Sequence, residues 1–207
     1  MTSRTIFLDT ETTGLSPSYA RIIEIAAIEV DNDYQPIRLF HEHLDPKQSV
    51  GISNQSHGLD DAFLRGRKTF RDIADNFVEF IDDATLYAHD MRFDQRFLDF
   101  ELGRCHLNKL ETYAEPVDTM PWARAKVMGS AKLEDLMRRF GFGAGAPRHG
   151  ALVDVEMLIR VFLCLAGQKE RALALDFTDL NRKDALYQDS CRLVAAPEDS
   201  LEDNETP

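Results

Sequence analysis

Acidic residues recur in this chain where ordinary surface patterning does not call for them. Asp9 and Glu11 stand two positions apart at the end of the apolar run Ile6-Phe7-Leu8. Side chains two apart on a strand share a face, so these two carboxylates converge on one spot. Held that close they repel unless a proton or a cation lies between them. Ligands that are all oxygen suit a hard divalent cation such as Mg²⁺ or Mn²⁺. A third acid, Asp94, ends the stretch His89-Asp90-Met91-Arg92-Phe93-Asp94 at an expected strand-to-helix junction, where ligand sites of α/β sheets gather. Taken alone, Asp94 reads as a helix N-cap. A fourth, Asp154, falls in the first turn of an expected helix, where an Asp is also explained by the helix dipole. His149 precedes it by five residues, about 140° out of phase on a helix. Both can reach one site only if His149 lies off the helix, in the stretch 141–150 that holds four glycines. Imidazole is the side chain best matched to proton transfer near neutral pH. Each residue has an ordinary structural explanation when taken singly. Four acids and a histidine in this order do not.

These groups must be positioned by a fold, and the hydropathy pattern outlines one. Strands are expected at 6–8 and, from their alternation and Ile content, at 21–30 and 37–44. The turn chemistry of Asp31-Asn32-Asp33 joins the last two, and short connections imply an antiparallel meander. Residues 46–68 read as irregular. Thr69-x-x-Asp72 is a helix start for 69–81, with Phe70, Ile73, Phe77 and Ile81 on one face. A short strand at 85–88, a helix from near Asp94, another short strand at 116–119 and a short helix through Trp122 follow. A helix starting at Ser130 stops at Gly141, and a long amphipathic helix covers 151–166. The expected fold class is therefore α/β: a mixed sheet of three meander strands and two short ones, flanked by helices. One domain is expected over 1–168, with a charged extension at 169–207 whose last dozen or so residues read as disordered.

Composition narrows the function. The 207 residues carry a formal charge of −12. Five acids and no base lie in the last ten positions, and the remainder still carries −7. An acidic body argues against non-specific duplex binding through a broad basic face. It leaves room for an enzyme that grips a few nucleotides through metals and local arginines. Cys105, Cys164 and Cys191 are widely spaced and form no CxxC pair, which excludes a zinc framework of cysteines and fits a reducing compartment. With no membrane-length apolar run and no signal-peptide pattern, a cytoplasmic location is expected and no membrane partner.

The ordered set DxE, FD and HxxxxD, with its flanks, resembles the histidine branch of the DEDD-type 3′→5′ exonucleases, and within it the proofreading (epsilon) subunits of bacterial DNA polymerase III. The resemblance runs from about Thr5 to Gly167. It includes LDTETTGL (8–15), RIIEIAAIEV (21–30), His57-Gly58, Phe93-Asp94, Asp118-Thr119, KLEDL (132–136) and HGALVDVEML (149–158). A lone DxE would be worth little; five parts in order are specific. The resemblance implies an RNase-H-like fold and two divalent ions, Mg²⁺ or Mn²⁺. By similarity, Asp9, Glu11 and Asp154 hold one ion. Asp9 bridges to the second, and Asp94 acts nearby or through water. Two cations about 3.5–4 Å apart relieve charge on the attacking and leaving oxygens. The resemblance makes His149 the general base and nucleoside 5′-monophosphates the product. It seats the 3′-terminal nucleotide against Thr12 and Leu15, with Phe93 beside the site. His57 is equally well explained as a pocket residue or as a structural loop histidine.

One departure stands out. Where the family has His-Asn-Ala, this chain has His89-Asp90-Met91 followed by Arg92. Ionised Asp only accepts hydrogen bonds, whereas Asn also donates. Arg92 is therefore a candidate partner for Asp90 or for a phosphate. Three functions remain distinguishable: proofreading on DNA beside a polymerase, a stand-alone DNA-repair or RNA-turnover exonuclease, and a non-catalytic adaptor. The intact acids argue against the last, since a scaffold has no need of clustered carboxylates. The substrate expected is a single-stranded or frayed 3′ end. Leu173-Ala174-Leu175-Asp176-Phe177 in the extension is a weak candidate for docking on a sliding clamp.

Overall fold

Strand β2 (Ile22–Val30) is the spine of the molecule: all nine of its residues are buried, two glutamates included. A strand this apolar is stable only with a neighbour on each edge and a layer on each face. In the computed structural model, which describes residues 4–142 and 150–181, β2 lies between β1 (Arg4–Thr12) and β3 (Pro36–His43), antiparallel to both. Strands β4 (Ala84–Ala88) and β5 (Ala114–Asp118) extend the sheet on the other side of β1, parallel to it, giving the order β3-β2-β1-β4-β5. This is the mixed sheet expected from the sequence.

The connections and flanking layers are helical. Residues 46–68, expected to be irregular, contain a 3₁₀ turn and two short helices, α1 (Asn54–His57) and α2 (Asp61–Leu64). They were illegible because each is about one turn long, too short to show a 3.6-residue period. Helix α3 (Phe70–Ile81) starts at the expected capping box, in which Thr69 and Asp72 satisfy each other's backbone. Then come α4 (Met91–Arg104), α5 (Met120–Lys126), α6 (Leu133–Phe140), α7 (Ala151–Leu165), α8 (Lys169–Ala174) and α9 (Thr178–Asn181). Among the described residues, no helix is long and apolar enough to cross a membrane.

Two starts differ from expectation. Helix α4 begins at Met91, not near Asp94, and its N-cap is Asp90, in the left-handed region at φ 72°. Asp and Asn tolerate that conformation better than other side-chain-bearing residues. The Asp118 carboxylate accepts the Asp90 N–H at 3.1 Å and fixes the turn. Helix α6 starts at Leu133, three residues after Ser130.

The sheet separates two apolar layers. On one face Ile6, Leu8, Ile25 and Leu86 pack with Phe70, Phe77 and Phe97 of α3 and α4. On the other, Phe7, Ala26 and Ile28 pack with Leu152, Val155 and Ile159 of α7. That second layer takes in Ala172, Leu175, Phe177 and Leu180. The extension set off at residue 169 is thus packed against the body as far as Leu180. Leu175 and Phe177 are buried, while Leu173 is 60% exposed. Two of the apolar residues named for clamp docking are thus packed into the layer that holds α7.

The buried glutamates of the sheet layers, Glu24, Glu29 and Glu101, are paired. Glu101 of α4 is 2% exposed, while its neighbour Phe100 faces outward. Arg21 clamps Glu101 bidentately at 2.6 and 2.9 Å, joining the start of β2 to the far layer. Removing one partner of a fully buried pair costs about 3–5 kcal/mol, and here the partner left behind, Arg21, keeps part of its side chain in solvent, which puts the cost at the low end. Glu101→Ala is therefore expected to lower the unfolding free energy by about 3 kcal/mol in urea titration.

Candidate active site

The alternation of β1 decides which acids meet. Ile6 and Leu8 point into the α3–α4 layer and Phe7 into the α7 layer. Continuing that period puts Asp9 and Glu11 on the α7 face and Thr10 on the other. One carboxylate oxygen from each of Asp9, Glu11 and Asp154 lies within 4.8 Å of the others. Asp154 is placed by the first turn of α7, whose backbone begins with Asp154 N–H donating to Gly150 O at 2.9 Å. Asp94 reaches the same cleft from the opposite layer. Its Oδ1 accepts the hydroxyl of Thr10 at 2.7 Å, with both residues buried. The site therefore straddles the end of β1, beside the point where the chain leaves for β2 on one side and the sheet continues to β4 on the other. Such switch points are where open α/β sheets bind ligands.

Electrostatics follow from this crowding. Burial, then the charges of Asp94, Asp154, Glu11 and Glu24, push the Asp9 carboxyl well above the usual range. Burial likewise raises Asp94, to about 7, although the Thr10 hydroxyl stabilises its anion; Asp90 adds to the rise. A cluster of oxygen donors that resists being fully anionic on its own is what a hard dication relieves. The residues present fit divalent metal ions.

The remaining expected site residues fall unevenly. Phe93 lines the cleft with His89, Asp90 and Ser56. Leu15 is 79% exposed, on the turn that leaves β1. Thr12 follows a register shift in β1 and its hydroxyl donates to Gly14 O at 2.7 Å, so it shapes that turn. His57 is buried, with Nε2 at 3.1 Å from Ser53 Oγ and Nδ1 accepting the Leu59 N–H at 3.1 Å. Of its two explanations, these bonds favour the structural one; its neighbour Ser56 is the residue in the cleft. Arg92 is exposed and, among the described residues, forms no ion pair with Asp90. His149 lies outside the described residues.

Sequence reasoning missed Thr10, Ser56, His89 and Glu24. Thr10 could have been found, being the polar residue at an inward-alternating position of β1. The His89 ring is held between the Thr119 hydroxyl at 2.9 Å and the Ala131 carbonyl at 2.6 Å, contacts 30 and 42 residues away that no local pattern announces.

Comparison with known proteins agrees with this geometry. The model of the Exonuclease family matches residues 6–162. The epsilon subunit of DNA polymerase III from Rickettsia felis is 38% identical over 179 residues, covering 83% of this chain and 78% of that protein. The chain belongs to the exonuclease family. The Escherichia coli K12 epsilon subunit is 34% identical, covering 84% of this exonuclease and 76% of its relative. Among solved structures, the zinc-bound form of the E. coli ExoI–ssDNA complex has the same fold, with a TM-score of 0.70 at 17% identity. The match covers 84% of this chain but only 42% of that longer one. The enzyme class, a 3′→5′ exonuclease, follows from the family and from the epsilon relatives.

The raised carboxyl of Asp94 has a consequence for metal-free protein. Its folded-state value of about 7 lies above the unfolded range, so the native state binds more protons between the two. Stability from this group is present at low pH and is lost as pH rises towards 7. Without divalent ions, wild type is expected to lose more stability than Asp94→Asn between pH 5 and pH 7.5. Thermal melts in a chelating buffer measure the difference.

Proposed function

We propose that this chain is a DNA-proofreading 3′→5′ exonuclease that works beside a replicative polymerase. The observation that carries the reading is the meeting of Asp9, Glu11 and Asp154 across the β1–α7 interface, with Asp94 delivered by Thr10. The epsilon relatives, matched over most of their length, support the polymerase partner. A cytoplasmic location fits the same reading.

In this reading Asp9, Glu11 and Asp154 would hold one divalent ion, Mg²⁺ or Mn²⁺, and Asp9 and Asp94 would serve a second. When bound, such ions relieve charge on the attacking and leaving oxygens of the phosphodiester. Water attacks the terminal phosphorus, the bond to the 3′ oxygen of the preceding nucleotide breaks, and a nucleoside 5′-monophosphate departs. His149 accepts the proton of the attacking water. Leu15, exposed at the exit of β1, wedges beside the terminal base. The backbone of the Thr12 turn holds the 3′-hydroxyl. Phe93 offers an aromatic face to the neighbouring base, a contact that tolerates any sequence. Arg92, exposed on the first turn of α4, is left to attract a phosphate. Asp90 brings a negative charge to the cleft where the family has a neutral amide, which opposes the phosphate backbone.

The alternative, a stand-alone repair or RNA-turnover nuclease, uses the same chemistry. Matched DNA and RNA oligonucleotides separate the two. Purified protein with Mg²⁺ or Mn²⁺ is expected to release 5′-mononucleotides from a 3′ end and to favour DNA. His149→Ala should slow release by about 10²–10⁴-fold, the usual worth of a general base. Asp9→Ala should abolish it while the chain stays folded. No release by folded wild type with either ion would overturn the reading. Asp90→Asn is expected to lower KM for the oligonucleotide with kcat little changed, because it removes repulsion felt equally in the ground and transition states.

A further inference from the structure

Behind the acidic cleft lies a second cluster that the chemistry above does not use. Register places Glu24 of β2 directly between Glu11 of β1 and His43 of β3, and Ala26 between Asp9 and His41. All of these side chains share the face covered by α7. Glu24 is 4% exposed. His41 Nε2 donates to Glu24 Oε1 at 2.9 Å, and His43 Nε2 lies 3.7 Å from the same oxygen. The other carboxylate oxygen points at α7: a Cβ added to Gly150 would come within 3.8 Å of it. The backbone N–H of Ala151, the first residue of α7, is among the groups that hold the Glu24 carboxyl down.

This approach matters because of how α7 begins. Its N-cap is Gly150, which has no side chain with which to cap the first turn. The opening N–H groups of a helix have no acceptor inside the helix. Here the Glu24 carboxylate, from a neighbouring strand, stands beside that first turn. Asp154 stands three residues after Ala151, and its partner Glu11 stands beside Glu24 in the sheet. A connection thus runs from β1, which carries one expected metal ligand, through Glu24 on its paired neighbour β2 to the helix that carries another. Burial alone would drive the Glu24 carboxyl up, but the His41 hydrogen bond, the charges of His43 and His41 and the Ala151 N–H outweigh it and keep it anionic.

We propose that Glu24, braced by His41 and His43, is a positioning residue that caps α7 in trans and sets Asp154 in register with Asp9 and Glu11. The proposal rests on the metal-dependent reading of the site, yet its first test does not use activity. In folded wild type, the Ala151 amide should be protected from hydrogen exchange although it has no acceptor within its own helix. Glu24→Ala should release that protection tenfold or more, with the amides of 158–163 inside α7 unchanged. Glu24→Gln keeps an acceptor oxygen and should restore protection to within about threefold, since the acceptor and not the charge does the positioning.

The second readout separates positioning from general stability. Calorimetric Mn²⁺ affinity should fall roughly tenfold in Glu24→Ala and recover in Glu24→Gln, while oligonucleotide KM at saturating metal stays at the wild-type value, as expected where only the ligand set is misplaced. An unprotected Ala151 amide in folded wild type would overturn the proposal without recourse to any variant. So would wild-type Mn²⁺ affinity in Glu24→Ala. One equivalent of zinc retained by wild type and lost in His41→Ala would also overturn it, by making the cluster a metal centre. Failure of the nuclease reading shows separately, as absence of mononucleotide release from wild type whose Ala151 amide is protected.

Discussion

Mutual repulsion among carboxylates at the end of β1 is the constraint that the rest of the structure has to hold against. Asp9 and Glu11 are forced onto one face by strand geometry, Asp154 is brought to them by α7, and Asp94 is bonded to Thr10 on the opposite face. No apolar gain at those four positions explains their proximity. It has to be maintained by elements with their own reasons to pack: the wholly buried β2, and α7 with its apolar face against Phe7, Ala26 and Ile28. The unfavourable cluster is tolerated because the sheet layers are settled without it. A cation completes it, which makes the acidic end a place of function in a fold stabilised elsewhere.

Buried charge in this molecule is sorted into two kinds. Glu29 and Glu101 meet guanidinium groups, from Arg4 and Arg38 in one case and Arg21 in the other. Glu24 meets two imidazoles at the start of α7. These groups are neutralised within the chain and fix the relative placement of strands and helices. Asp9 and Asp94 are instead raised by their surroundings, Asp9 by the acids around it as well as by burial. The contrast between satisfied and unsatisfied acids marks the site more sharply than the count of acids, which is high over the whole chain.

Much of this was legible in the sequence. The strand that ends in Asp-x-Glu, the capping box at Thr69, the long helix after Gly150 and the order of the four acids all rest on local patterns, and local patterns survive folding. What was not legible required contact across the sheet. Asp90, rather than Asp94, starts α4, because a left-handed cap is fixed by Asp118 from a neighbouring strand end. His57 has both ring nitrogens occupied within its own loop, a bond pattern set by the turns of α1 that sequence periodicity cannot show. Leu175 and Phe177 are buried by tertiary packing on α7, although their spacing alone also suits a docking peptide. Thr10 and Glu24 stood in plain view as polar residues in apolar strands. Their meaning depended on knowing which helix lies over which face.

The central claim is that these acids form one dication site and not a chance gathering. Diffraction from crystals grown with Mn²⁺, with data collected at the manganese edge, tests it most directly. The account predicts an anomalous peak bonded to oxygens of Asp9, Glu11 and Asp154, with a second on the Asp9 side towards Asp94 when a nucleotide is present. A well-ordered cleft with no anomalous density at Asp9 under saturating Mn²⁺ would contradict it.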